Sequence, residues 1–225
     1  MTVLRLSALW GVAELIPTKE EWMGALEKRH GAELQKALSA ASVAICGLGG
    51  LGSHIALFLA RTGIGKLILI DFDKVDITNL HRQQYKAVQI GEYKTKALAE
   101  NLKEIAPYVE AEMHIERITE ENAGSLLKEA DIICEAFDDA AEKAMLANIV
   151  LEKMPDKYLV AASGMAGLES ANAIKTRRTA ERFYLCGDGV SDVSDGIGLV
   201  SPRVALCAAH QAHTVVRILS GKLDV

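Results

Sequence analysis

Apolar positions along the chain recur with two alternating rhythms. Trp22, Leu26, Leu34 and Leu38 return at helical spacing behind a Thr18/Glu21 capping box, which predicts an amphipathic helix over 19–40. The short apolar run SVAIC (42–46) then reads as a buried strand, and a glycine-rich turn follows it. Residues 54–61 have helical composition, and KLILI (66–70) reads as a second buried strand. The alternation continues with a helix over 95–105 ending before Pro107 and a strand near 111–115. A helix opens at Thr119, then come a strand over 131–135, a helix over 140–153, a strand over 158–162 and another strand within 169–176. This order predicts a Rossmann-like α/β fold, a mostly parallel sheet with helices on both faces.

From 177 to 201 the rhythm is lost. Gly187, Gly189, Gly196 and Gly198 alternate with Asp188, Asp192 and Asp195, which predicts a long functional loop before a final apolar helix over 202–219. At 225 residues the chain suits one domain. It divides into an N-terminal helical segment (1–40), a Rossmann-like core (41–165) and a strand, loop and helix region (166–225).

Composition narrows the reading. Half the residues are hydrophobic and 24% are charged, as in ordinary globular proteins. The net charge of −5 gives no general attraction to nucleic acid or an anionic membrane. Residues 39–60 carry no charge, but four glycines between 47 and 52 break that stretch as a membrane helix. The N-terminus MTVLRLSALWGVAELIP is interrupted by Ser7, Gly11 and Glu14 and does not read as a cleaved leader. Cys46, Cys134, Cys186 and Cys207 form no C-x-x-C pair, so free thiols in a reducing cytoplasm are expected.

The chemistry centres on the turn between the first two strands of the core. Gly47, Gly49 and Gly52 satisfy G-x-G-x-x-G, which lets a phosphate approach backbone N–H groups at a helix N-terminus. Asp71 ends the next strand, 22 positions after Gly49 (71 − 49), where a carboxylate can hold ribose hydroxyls. Both features suit NAD as well as ATP. The run DFDKVDITNLHRQ (71–83), followed by Gly91 and Lys94, separates the two.

These motifs resemble the ThiF and MoeB family, bacterial relatives of ubiquitin-activating enzymes, with its pattern GxGGLG, DxDxVxxxNLxRQ and GxxK. The resemblance covers about 41–165. The phrase FYLCGD (183–188) is similar to the thiamine-pathway branch, adenylyltransferases of the sulfur carrier ThiS. It implies an ATP- and magnesium-dependent nucleotidyltransferase that activates the C-terminal carboxylate of a ubiquitin-like carrier ending in Gly-Gly. It also implies a homodimer and a carrier-binding role for 166–225.

Carried over by motif position, Gly47, Gly49, Gly50, Leu51 and Gly52 line the nucleotide, with Asp71 and Asp73 beside it. Asn79, Arg82 and Lys94 contact the triphosphate, Gln83 also belongs to the nucleotide site, and Asp138 holds magnesium. Arg82 and Lys94 are equally readable as solvated surface charges, and Asp138 and Asp139 as an N-cap pair for the helix near Ala140. Arg29 is a candidate for reaching a partner subunit's ATP, although EKRHGAEL matches the family poorly there. Cys46, Cys134 and Cys207 read as core residues. Cys186, at the start of the expected loop, reads either as a partly buried inert thiol or as an exposed catalytic one that links covalently to the carrier. The family's zinc-binding C-x-x-C pairs are missing, so no zinc is expected.

Overall fold

The computed structural model describes residues 4–6 and 13–225; most of the segment judged above as a leader candidate lies outside the described residues. A two-stranded antiparallel ribbon, β1 (Leu4–Leu6) with β2 (Ala13–Leu15), precedes the helices α1 (Lys19–His30) and α2 (Ala32–Ala40). The capping box at Thr18 and Glu21 forms as expected. The single helix expected over 19–40 is instead two, because Gly31 takes φ 90°, a left-handed conformation that ends α1. Buried Gln35 then fixes α2 by bonding Ser39 Oγ at 2.8 Å and Gly63 O at 3.1 Å.

The core runs β3 (Ser42–Cys46), α3 (Gly50–Thr62), β4 (Lys66–Ile70), α4 (Lys94–Ile105), β5 (Glu110–His114), α5 (Ala123–Leu127), β6 (Ile132–Glu135), α6 (Ala140–Lys153) and β7 (Tyr158–Ala162). It closes with β8 (Lys175–Ala180), β9 (Phe183–Gly187) and α7 (Ser201–Leu219). One seven-stranded sheet has the order β5-β4-β3-β6-β7-β9-β8, and only β8 runs antiparallel to its neighbour. Both faces are covered, as the unbroken apolar strands require. Val43, Ile45, Leu67 and Leu69 pack with α3, α4 and α7, while Ala44, Cys46, Ile68 and Ile70 pack with α5 and α6.

Two local expectations change. Thr119 and Asn122 bond each other's backbone N–H groups, so a turn comes first and α5 opens only at Ala123. The loop expected over 177–201 begins as the hairpin of β8 and β9 and becomes irregular after Gly187. As an edge strand, β8 exposes most of its polar side chains and carries little apolar signal. Strand order reverses around β3, where α3 leads to β4 on one side and the chain later returns through β6 on the other. That switch point opens a crevice at the strands' C-terminal ends. Among the described residues, no helix is long and apolar enough to cross a membrane.

Candidate functional site

The glycine turn between β3 and α3 is fixed by contact. Gly47 has φ 90°, and a Cβ there would lie 2.8 Å from Ala136 O at the end of β6. A Cβ at Gly52 would lie 1.9 Å from Gly47 O, so the turn folds back on the helix without room for a methyl group. No side chain caps α3 at Gly49, which leaves the positive end of the helix facing the crevice.

That crevice is a cavity of about 260 Å³. Gly47, Gly49, Gly50, Leu51, Asp71, Asp73, Asn79, Arg82, Gln83, Lys94 and Asp138 all line it. Gly52 stands behind the turn, and neither Arg29 nor Cys186 lines the cavity.

Within the cavity, Asp71 is anchored twice. Its Oδ2 accepts from Leu48 N at 2.6 Å and its Oδ1 from Asp73 N at 2.7 Å. Burial raises its pKa, opposed by Lys94 and by these two N–H groups. Asp71 therefore shapes the turn itself, and Asp73, whose side chain is half exposed, is the more open carboxylate. Lys94 begins α4, with its buried ammonium 2.7 Å from Asp73 Oδ2 and 3.9 Å from Asp71 Oδ2.

Arg82 is oriented by Asn79, whose Oδ1 accepts from Nη2 at 2.8 Å. Its Nε and the Oε1 of Gln83 are buried without a partner. The unpaired Arg82 Nε beside a bare helix terminus suits an anionic group, whereas the Gln83 oxygen, an acceptor, calls for a donor. The acidic pair divides its tasks: Asp139 caps α6 through Ala141 N and Glu142 N, both at 2.9 Å, while Asp138 stays exposed at the cavity.

Sequence reasoning missed two further groups. Lys143 reaches back from α6 to Glu135, 2.9 and 3.0 Å from its oxygens, and donates to Ala162 O at 3.1 Å. Glu135 is almost fully buried; burial raises its carboxyl pKa, and Lys143 opposes that shift. The available signal was a charged residue closing the apolar strand DIICE. Arg117 lies 4.5 Å over the ring of Phe72 and pairs with Glu142 at 2.7 Å, all three at the cavity. Nothing in their spacing announced this.

Arg29 is exposed on α1. The expectation of an exposed thiol at Cys186 is overturned. The residue points inward from β9, fully buried, with its sulfur 3.6 Å from Thr176 Oγ1, and burial pushes the thiol pKa up. Two positions further on, Asp188 forms an anchor instead. Asp188 accepts from Val190 N and Ser191 N, both at 2.9 Å, and pairs with buried Arg203. Burial alone would raise the Asp188 pKa, but these donors outweigh it and hold the carboxyl at about 2.

Residues 25–225 match the ThiF family model. The adenylyltransferase and sulfurtransferase MOCS3 of Aedes aegypti is 36% identical over 209 residues, 87% of this chain and 45% of that protein. The adenylyltransferase and sulfurtransferase UBA4 of Lodderomyces elongisporus is 28% identical over 195 residues, 83% of this chain and 42% of that one. The chain thus spans less than half the length of these curated relatives. Among solved structures, E. coli tRNA N6-threonylcarbamoyladenosine dehydratase, TcdA, in complex with AMP superposes with a TM-score of 0.80 at 21% identity, covering 93% of this chain and 98% of that one. At that identity the likeness is one of fold.

Proposed function

Because the chain belongs to the ThiF family, we propose that it is an ATP-dependent adenylyltransferase acting on the C-terminal carboxylate of a ubiquitin-like sulfur carrier. The observation that carries this reading is the meeting of Arg82, Lys94 and Asp138 in one cavity over an uncapped glycine turn. The relatives' names, adenylyltransferase and sulfurtransferase, support the same reaction class.

In the proposed step a carrier carboxylate oxygen bonds to the α-phosphorus of ATP. The bond from that phosphorus to the bridging oxygen breaks, and pyrophosphate leaves with the electron pair. The attacking carboxylate, with a pKa of about 3.5, is already ionised, so no general base is needed. Arg82 and Lys94 neutralise the charge that builds on the departing pyrophosphate. Magnesium supplies further charge neutralisation when bound. Asp138 is its candidate protein ligand, and one carboxylate with substrate phosphates is a usual way of holding this ion.

The FYLCGD resemblance directs the first test to a ThiS-like carrier ending in Gly-Gly. Exchange of labelled pyrophosphate into ATP that depends on such a carrier is the expected result. A panel containing a molybdopterin-type carrier and a tRNA-borne carboxylate assigns the substrate, and silence across the panel would sink the reading. The same proposal includes a cytoplasmic homodimer in which Arg29 reaches the other subunit's nucleotide. Sedimentation together with Arg29→Ala kinetics tests that part.

A further inference from the structure

The nucleotide site is assembled from two pieces of chain that are distant in sequence: the glycine turn with the start of α3, and the segment carrying Arg82 and Gln83. Two neighbouring residues of α3 hold them together, and neither lines the cavity. Ser53 Oγ donates to Gly49 O at 2.7 Å and accepts from Gln84 N at 3.1 Å. His54 reaches the same two pieces through its ring. Its Nδ1 lies 2.7 Å from Gly50 O, and its Nε2 lies 2.7 Å from the Gln84 side-chain nitrogen.

A carbonyl oxygen only accepts, so Nδ1 carries the ring proton and Nε2 is left as the acceptor for the Gln84 amide. Burial lowers the His54 pKa, in keeping with this neutral form. Tyr85 adds a third tie, its hydroxyl donating to Leu48 O at 2.7 Å. Gln84 itself is exposed, so water would satisfy its amide equally well. What the bond to His54 adds is therefore placement.

We infer that His54 is a positioning residue for the nucleotide: through Gln84 it clips the Arg82–Gln83 segment to the phosphate-binding turn before ligand arrives. This rests on the nucleotide reading above. Without the clip, ordering that segment is charged against binding, so the loss falls on ATP affinity. Acid is a poor probe, because a protonated ring would still bond the amide once it had rotated to present its oxygen.

The experiment is a titration of ATP with magnesium into the unmutated chain, His54→Phe, Gln84→Leu and the double variant, beside carrier-dependent pyrophosphate exchange. Phenylalanine keeps an aromatic ring near Phe58, 6.1 Å away, and removes both bonds. Each single change is expected to raise the dissociation constant about three- to tenfold, the size of one hydrogen bond. The double variant should be no weaker than the worse single, KM for ATP should rise more than kcat falls, and Gln84→Leu should melt with the unmutated chain. Unchanged affinity in Gln84→Leu, or losses that simply multiply in the double variant, would overturn the inference while leaving the nucleotide reading intact. If His54→Phe does not fold, Gln84→Leu decides alone. Failure of the unmutated chain to bind ATP overturns the nucleotide reading and this inference together.

Discussion

Lys94 and Asp73 form a close ion pair, 2.7 Å from Nζ to Oδ2, with Asp71 a further carboxylate 3.9 Å from the same ammonium. The cation is thus balanced within the protein, and an incoming phosphate competes with Asp73 for it. Lys94→Met is expected to lower kcat/KM for pyrophosphate exchange by about 10²- to 10³-fold, the usual loss of one charge-stabilising group. It also removes the charge that opposes the raised pKa of Asp71. Residual activity should therefore need a higher pH than in the unmutated chain, which a pH–rate profile would reveal.

Gly52→Ala is a prediction about the fold. A methyl group 1.9 Å from Gly47 O forces the turn and helix apart, and a loss of about 3 kcal/mol or more in urea unfolding is expected. A variant of ordinary stability would show that the turn has slack the geometry denies.

Glu135 and Lys143 should behave as a unit. Lys143→Met strands a buried carboxylate and is expected to cost about 3–5 kcal/mol, whereas Glu135→Gln combined with Lys143→Met should recover much of that loss. Denaturant titrations of the two single variants and the double variant measure this recovery, and strictly additive losses would contradict it.

Asp188 predicts how the protein responds to acid. Its folded pKa of about 2 lies below its ordinary 3.8. The stability it contributes is therefore complete above pH 4 and fades as pH falls toward 2. Plotted against pH, the urea midpoint of Asp188→Asn should start lower and fall less steeply through that window. Parallel curves would sink the assignment.

Cys186 should be chemically quiet. In the folded protein its alkylation by iodoacetamide is expected to be far slower than in urea, and Cys186→Ala should retain pyrophosphate exchange despite some loss of stability from the cavity it leaves. A covalent carrier adduct abolished by this substitution would reverse that conclusion.

What was legible in the sequence follows from how local each signal is. SVAIC and KLILI are buried on both faces and read as strands without help, and the cluster from Asp71 to Lys94 is a compact run whose spacing, taken as a set and not residue by residue, points to the cavity at the glycine turn. Gly31 was hidden because the apolar positions on either side of it kept helical spacing across the break. β8 is expected too early, within 169–176, and its later residues read as loop, because an edge strand of Lys, Arg and Thr has little buried face to announce it. At Cys186 the exposed reading fails for a related reason and the inert one holds: once β9 is taken as loop, an inward-facing position looks open to solvent. The Arg117–Phe72 stack joins the ends of two strands, and no spacing rule foretells such a contact.

The pairing of β3 with β6 carries a kinetic consequence. Ser42 N meets Asp131 Oδ2 across 89 positions of chain, and Val43 lies opposite Ile132. Closing a loop of that length costs entropy before any bond repays it, so this parallel pair sets a slow pace for folding, while the tight β8–β9 hairpin is free to zip early. Ala136 and Asp138 reach the glycine turn only after that closure. ATP should therefore slow unfolding of the finished protein and leave its rate of folding almost untouched.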